Sequence, residues 1–289
     1  MFGTGGLKRV SPDFIRNYKF ASPSLPEQHH IASFLDSKCS QIDTTIEKER
    51  EVITKLKEYR QAVITEAVTK GIRAGVPMKD SGIEWIGEIP EGWDVRKIKY
   101  LININPRYSG KLADDELISF IPMECLTNGA ISPKTKCLGE VKNSYNYFEE
   151  GDIIMAKVTP CFENGNIAVT KGLLQGIGFG TTEIFVLRCV NINTQFFFYF
   201  LQNNTFKQLS TGSMYGTGGL KRISPEFIRE YKIGNPSLSE QQEIASFLDA
   251  KCSAIDATIQ IRELAIEKLT AYKQSLIYEC VTGKKEVFA

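Results

Sequence analysis

Residues 23–43 read PSLPEQHHIASFLDSKCSQID, and residues 236–256 read PSLSEQQEIASFLDAKCSAID. The likeness extends outward without a gap. FGTGGLKRVSPDFIRNYK at residues 2–19 returns as YGTGGLKRISPEFIREYK at 215–232, and residues 1–70 align with 214–283 at a constant offset of 213, with 42 of 70 pairs identical. A repeat of this length organises the whole chain and is read before anything else.

Each copy predicts a short tail followed by a long helix. Ser24 and Ser237 are followed three residues later by Glu27 and Glu240, the spacing of a capping box. Pro26 suits the first helical turn, where no N–H is needed. Behind this start, apolar residues recur at intervals of three, four and seven. The first copy supplies Ile31, Leu35, Ile42, Ile46, Ile53, Leu56, Val63 and Ala67; the second supplies Ile244, Leu248, Ile255, Ile259, Ile266, Leu269, Leu276 and Cys280. After Pro26, no glycine or proline interrupts either run before Gly71 and Gly283. Helices of about 45 residues would be roughly 65 Å long at about 1.5 Å per residue, and each needs a partner for its apolar stripe, since helical stability comes mainly from packing such a face. Each copy is the natural partner of the other, in parallel or antiparallel, so the stripes are read as a coiled-coil-like interface.

The middle of the chain changes character. A Gly- and Pro-containing linker covers residues 73–82, and SGIEWIGEIPEGWDVRKIKYL follows at 81–101. Short strand-like runs are expected at 117–122, 152–158, 166–169 and 183–190, with one helix over 194–209. The fold class is therefore α+β: a mixed α/β domain flanked by two long helices. The expected boundaries are 1–23 for the remnant of the end of a first domain, 24–72 for the first helix, 83–236 for the complete domain, 237–283 for the second helix, and 284–289 for a tail.

Composition excludes several classes of function. No apolar run approaches the roughly 18 residues of a membrane span, and the N-terminus shows no secretory signal pattern. Seven scattered cysteines contain no C-x-x-C pair, and the two histidines, His29 and His30, are adjacent. No metal site is expected, and reduced thiols suit a cytoplasmic protein. Asn105-Pro106-Arg107-Tyr108 approaches the Asn-Pro-Pro-Tyr motif of adenine methyltransferases but lacks the second proline, so it is read as a turn. GIGFG at 176–180 lacks a following P-loop lysine and is read as a tight strand connection. No catalytic residue is assigned.

The helix-start motif P-S-L-x-E-Q-x-x-I-A-x-F-L-D seen twice, the G-x-I-P-x-x-W opening, and the helix–domain–helix repeat together resemble the specificity subunit of type I restriction-modification systems. GDIIMAKVTPCFENGNIAV at 151–169 and GIGFGTTEIFVLR at 176–188 resemble one version of that family's target recognition domain. The resemblance implies two recognition domains at opposite ends of an antiparallel helix pair, each reading half of a split DNA site. It implies double-stranded DNA as ligand, and modification (methyltransferase) subunits and a restriction or motor subunit as partners. S-adenosylmethionine, ATP and Mg are then expected on those partners, and no cofactor in this chain. Here residues 1–23 match only the end of a recognition domain, so a truncated form with one complete domain is expected. Such a form would act as a homodimer or pair with another half-length specificity subunit.

DNA reading needs loops that offer donors and acceptors to base edges, with cations for phosphates. Three loops meet this description. One spans 157–166 and supplies Lys157, Thr159, Asn164 and Asn166. The second supplies Thr181 and Thr182, next to Glu183. The third, 215–222, supplies Lys221 and Arg222. The cations suit phosphates or guanine, the asparagines adenine. The 157–166 loop ranks first, because the GTGGLKR stretch of the third occurs in both repeat copies whereas different half-sites need different readers. From residue 94 to 232 there are 16 basic and 13 acidic residues, a net of +3, so the domain is only mildly basic. Two rival functions stand beside this one. One is a rearranged assembly or interaction protein that binds modification subunits without directing methylation. The other is a stand-alone adenine methyltransferase, which would have to bind S-adenosylmethionine by itself.

Overall fold

The computed structural model describes residues 10–20, 22–216 and 219–287. The first nine residues of the expected domain remnant, Ala21, Thr217 and Gly218 of the third loop, and residues 288–289 of the tail lie outside the described residues. The α-helices are, in chain order, α1 Pro12–Asn17, α2 Leu25–Lys70, α3 Leu138–Val141, α4 Thr194–Phe200, α5 Asn204–Gly212, α6 Pro225–Glu230 and α7 Leu238–Val281. The strands are β1 Met78–Asp80, β2 Glu88–Pro90, β3 Asp94–Lys97, β4 Ile102–Ile104, β5 Leu117–Ile121, β6 Lys134–Cys137, β7 Asn146–Glu149, β8 Ile153–Ala156, β9 Ile167–Val169, β10 Ile177–Gly180, β11 Ile184–Cys189 and β12 Lys232–Asn235.

The two repeat helices hold 46 and 44 residues and end where glycine permits. Gly71 and Gly283 both take positive φ, +79° and +72°. Past the end of α7 the Lys284 N–H donates to the Glu279 carbonyl at 2.8 Å, the long bond of a Schellman cap. The capping box forms only in part. Ser237 Oγ accepts from the Glu240 N–H at 3.3 Å, but no returning bond from the glutamate is made among the described residues. The Glu240 carboxylate is turned instead toward Arg73, whose positive charge it favours.

The chain divides into two units, residues 1–57 with 256–289, and residues 58–255. In the first, Ile42, Ile46, Leu276 and Cys280 form a buried cluster, joined by half-buried Ile31, Leu35, Ile266 and Leu269. Two ion pairs give the direction: Asp43 with Lys273 at 2.6 Å, and Glu49 with Arg262 at 2.7 Å. As one chain number rises the other falls, so the helices are antiparallel here. Position 49 is the repeat mate of position 262. In an antiparallel pair of repeats, a residue near the pseudo-twofold axis faces its own counterpart, and identical charges there would repel. The copies differ at this position, and the result is an attractive pair. Helix α1 is also in this unit. Its Phe14, Ile15 and Tyr18 are exposed, whereas their repeat mates in the other unit, Phe227, Ile228 and Tyr231, are half-buried, buried and buried.

The second unit holds two four-stranded sheets, ordered β6-β5-β10-β7 and β4-β11-β8-β9, and the two-stranded ladders β1-β2 and β12-β3. Strands β8 and β11 are central and pair antiparallel, with Ile184 opposite Ala156. Their side chains alternate between two cores. Ile153, Met155, Phe185 and Leu187 join the large core, while Ile154, Ile184 and Val186 join a second core with Ile121 and Phe148 of the other sheet. A sheet covered on both faces reads as a continuous apolar run, as IIMA and IFVL do. The large core also takes Ile64, Ala67 and Val68 from the end of α2, and Ile244, Leu248 and Cys252 from the start of α7. Ile244, Leu248 and Val63, expected along a helix-pair seam, thus pack into the large core of the second unit. Leu56 is half-buried; Ile53, Ile255 and Ile259 are buried.

Two expectations need correction. GIGFG is not a connection but strand β10, parallel to β5 and antiparallel to β7. The glycines are there for a ring: a β-carbon on Gly178 would lie 2.2 Å from Phe148 Cε2. The helix expected over 194–209 is two helices. Asn203 breaks it by capping α5, its Oδ1 accepting from the Phe206 N–H at 2.8 Å.

Candidate nucleic-acid interface

The three candidate loops converge at one end of the β8–β11 pair, within the second unit. Loop 157–166 leaves the end of β8, and Thr181 to Glu183 leads into the start of β11. Register alone therefore sets them side by side, and the Lys157 N–H donates to the Glu183 carbonyl at 3.0 Å. The third loop returns to the same place as a short antiparallel addition. The Ile223 N–H donates to the Lys157 carbonyl, and the Thr159 N–H to the Lys221 carbonyl, both at 3.0 Å. Inside the third loop Tyr215 and Arg222 exchange two backbone bonds.

Side chains lock the three together. Thr159 Oγ1 accepts from the Lys221 N–H at 3.0 Å and donates to the Gly219 carbonyl at 2.9 Å. The Arg222 guanidinium donates from Nε and Nη2 to the two Glu183 carboxylate oxygens, each at 3.0 Å. This forked, charge-assisted pairing is geometrically specific. The Arg222 hydrogen bonds hold the Glu183 carboxyl below its ordinary range, with Lys157 contributing attraction. The Lys157 amine lies 5.8 Å from the Phe185 ring centroid. Within the first loop, Phe162 is buried in the large core and anchors a run of turns. The Asn164 N–H donates to the Pro160 carbonyl, the Gly165 N–H to Phe162 and the Asn166 N–H to Cys161.

These contacts revise the roles expected of individual residues. Arg222, expected to meet phosphate or guanine, has its charge matched by Glu183, a pairing that ties the third loop to the second. Thr159 spends its hydroxyl on the third loop in the same way. Thr181 is half-buried and accepts from the Glu183 N–H at 3.3 Å. Asn164, Thr182 and Lys221 remain exposed, and Lys157 and Asn166 are half-buried. This leaves one exposed cation, Lys221, one half-buried cation, Lys157, and polar side chains resting on a buckle made by Thr159, Glu183 and Arg222. Sequence reading missed that buckle, since Glu183 and Arg222 are far apart in the chain and no spacing links them.

Other motifs resolve as structure. Asn105, at φ +50°, accepts from the Val186 N–H through Oδ1 at 2.9 Å and donates its own N–H to the Val186 carbonyl. Tyr108 packs against Tyr147 and Phe179. Arg188 makes a forked pair with Asp152 at 2.8 and 2.9 Å, and the Asp152 side chain is 4% exposed. Among the described residues no cluster of three or more metal-ligating side chains exists, and no helix is long and apolar enough to cross a membrane.

The family model described as type I restriction modification DNA specificity domain matches residues 90–270, and the chain belongs to that family. Among curated relatives, the type I restriction enzyme EcoEI specificity subunit of Escherichia coli is 35% identical over 193 residues, covering 65% of this chain and 32% of the relative. The MjaVIII specificity subunit of Methanocaldococcus jannaschii is 28% identical over 293 residues, covering 98% of this chain and 65% of the relative. In fold, the chain is similar to one solved for complex assembly and conformational transition of the type I R-M system, with a TM-score of 0.74, 14% identity, and coverage of 97% of this chain and 65% of that one. The HsdS subunit from Thermoanaerobacter tengcongensis gives a TM-score of 0.53 at 15% identity, with coverage of 99% and 65%. The chain thus spans from about one third to about two thirds of the length of these proteins.

Proposed function

We propose that this chain reads one half of a bipartite DNA site through the converged loops 157–166, 181–183 and 215–222, and scaffolds the modification subunits that methylate it. The observation that carries the reading is the convergence itself. Three stretches distant in sequence meet at one end of a rigid strand pair, and they present amides, hydroxyls and cations together. Base reading needs such a set held in fixed geometry. In this reading the chain is not an enzyme. S-adenosylmethionine, ATP and Mg belong to partner subunits, and the free thiols of the described cysteines fit a cytoplasmic setting.

Residues 1–23 correspond in this reading to the closing segment of a first recognition domain. The exposure of Phe14, Ile15 and Tyr18, against the burial of Ile228 and Tyr231, supports it. A second recognition domain, from a second copy or from another specificity subunit, would supply the second half-site. Mapping methylated adenines genome-wide in cells that express the chain with its modification subunit tests the proposal. One motif split by a fixed gap, lost without the chain and weakened or altered by Asn164→Ala or Lys157→Ala, is expected. Methylation that ignores both substitutions, or no directed methylation at all, rejects it.

A further inference from the structure

We infer that Lys207, on α5, is a phosphate-binding cation of the DNA interface, seated where two Asn-Gly turns meet. The inference rests on the DNA-reading function proposed above. The first turn, Asn128–Gly129, closes a small hairpin. Leu126 bridges Ile131, and the Thr127 N–H donates to the Ala130 carbonyl at 3.0 Å. The hairpin tip is tied to β9, the Gly129 N–H donating to the Ile167 carbonyl at 2.7 Å. The second turn, Asn164–Gly165, belongs to the first candidate loop and precedes β9 directly.

Gly165 shows how close the parts come. It sits at φ +77°, and a β-carbon placed on it would lie 3.5 Å from Lys207 Nζ and 3.7 Å from Asn128 Nδ2. An amine, an amide donor and a bare backbone turn therefore share one spot. Lys207 also lines a cavity of about 320 Å3 with Phe162, Glu163, Gln208 and Thr211.

Charge makes the arrangement costly in the absence of a ligand. Arg188 and Arg222, elsewhere in the domain, are each forked to a carboxylate. No ion pair or hydrogen bond holds the Lys207 amine among the described residues, and Glu163, across the same cavity, is not paired with it. Burial of the half-buried amine, with repulsion from Arg60 of α2, pushes its pKa down. A desolvated cation without a counter-charge costs free energy, and an anion entering the cavity relieves that cost. A duplex read by Asn164 and Asn166 would bring backbone phosphates to the neighbouring turn, and Asn128 Nδ2 would add a second donor.

The test compares the wild-type chain with Lys207→Met and Lys207→Arg, each assembled with the modification subunit, binding a random-sequence duplex across a salt series. One lost phosphate contact lowers the slope of log K against log salt by about 0.9. Lys207→Met is expected to lose that increment, to bind all sequences more weakly, and to melt no lower than wild type, because it removes a desolvated charge. Lys207→Arg is expected to keep the slope. An unchanged slope in Lys207→Met overturns the inference while leaving the DNA-reading function standing. So does a lost slope accompanied by a fall in melting temperature, the signature of a structural lysine. A wild-type complex that binds no duplex overturns both.

Discussion

Replacing Thr159 by valine keeps the shape of the side chain and removes one hydroxyl. In the structure that hydroxyl makes two bonds to the third loop, from the Lys221 N–H at 3.0 Å and to the Gly219 carbonyl at 2.9 Å. A net hydrogen bond is worth about 0.5–1.5 kcal/mol. Both partners lie at the surface, where water replaces the lost bonds, so the lower half of the range applies and the pair contributes about 1–2 kcal/mol. The backbone bond from the Thr159 N–H to the Lys221 carbonyl survives, as does the Arg222–Glu183 fork, so the loop opens locally without unfolding the domain. Hydrogen exchange at the Lys221 amide reads this directly: a change of 1–2 kcal/mol corresponds to about 5–30-fold faster exchange. Global stability in denaturant should fall by no more than the same amount, while discrimination between target and unrelated duplex is reduced. Exchange at Lys221 that matches wild type would show that the hydroxyl does not hold the third loop. The buckle would then be Arg222–Glu183 alone.

Three further perturbations follow from the same contacts. Arg188→Met leaves the nearly buried Asp152 carboxylate without its fork and should cost about 3–5 kcal/mol in denaturant unfolding. A loss under about 1 kcal/mol would mean that Asp152 finds other compensation. Arg262→Glu sets a carboxylate against Glu49 where the two repeats face each other. It should lower the melting temperature, and the double reversal Glu49→Arg with Arg262→Glu should restore it. Acidification should loosen the converged loops before the domain unfolds. The Glu183 carboxyl has a lowered pKa in the folded state, so its contribution is complete above its ordinary value of 4.5 and is lost as pH falls through the lower folded value. Protection of the Arg222 amide, measured against the intrinsic exchange rate at each pH, should fall across that window, and Glu183→Gln should abolish that pH-dependent loss of protection.

The helices were the most legible part of the fold, because a repeat of 70 residues with 42 identities states the same helix twice and terminates it with glycine twice. Strands β5, β8, β9 and β11 were legible as short apolar runs, for the physical reason that each lies in a sheet with both faces buried. Strand β10 was not. Glycine removes the side chains by which a strand is recognised, and here it does so to admit the Phe148 ring. The break between α4 and α5 was hidden for a related reason: Asn203 acts as a cap only once the chain has turned. At the site, the polar loops were visible as composition, but their convergence comes from strand order. The pairing of Arg222 with Glu183 was not legible, because 39 residues separate the two. Lys207 carried no sequence signal at all, because its neighbours Asn128 and Gly165 arrive from other parts of the chain.

The most direct test places a photo-crosslinking residue, one position at a time, at Asn164, Thr182 and Lys221, with Glu140 on the short helix α3 as control. Each variant is assembled with the modification subunit on a duplex that carries the methylated motif. Crosslinks are expected from all three loop positions to nucleotides of a single half-site, and none from position 140. Crosslinks from position 140 with none from the loops would contradict this expectation, and would move the reading surface to another face of the domain.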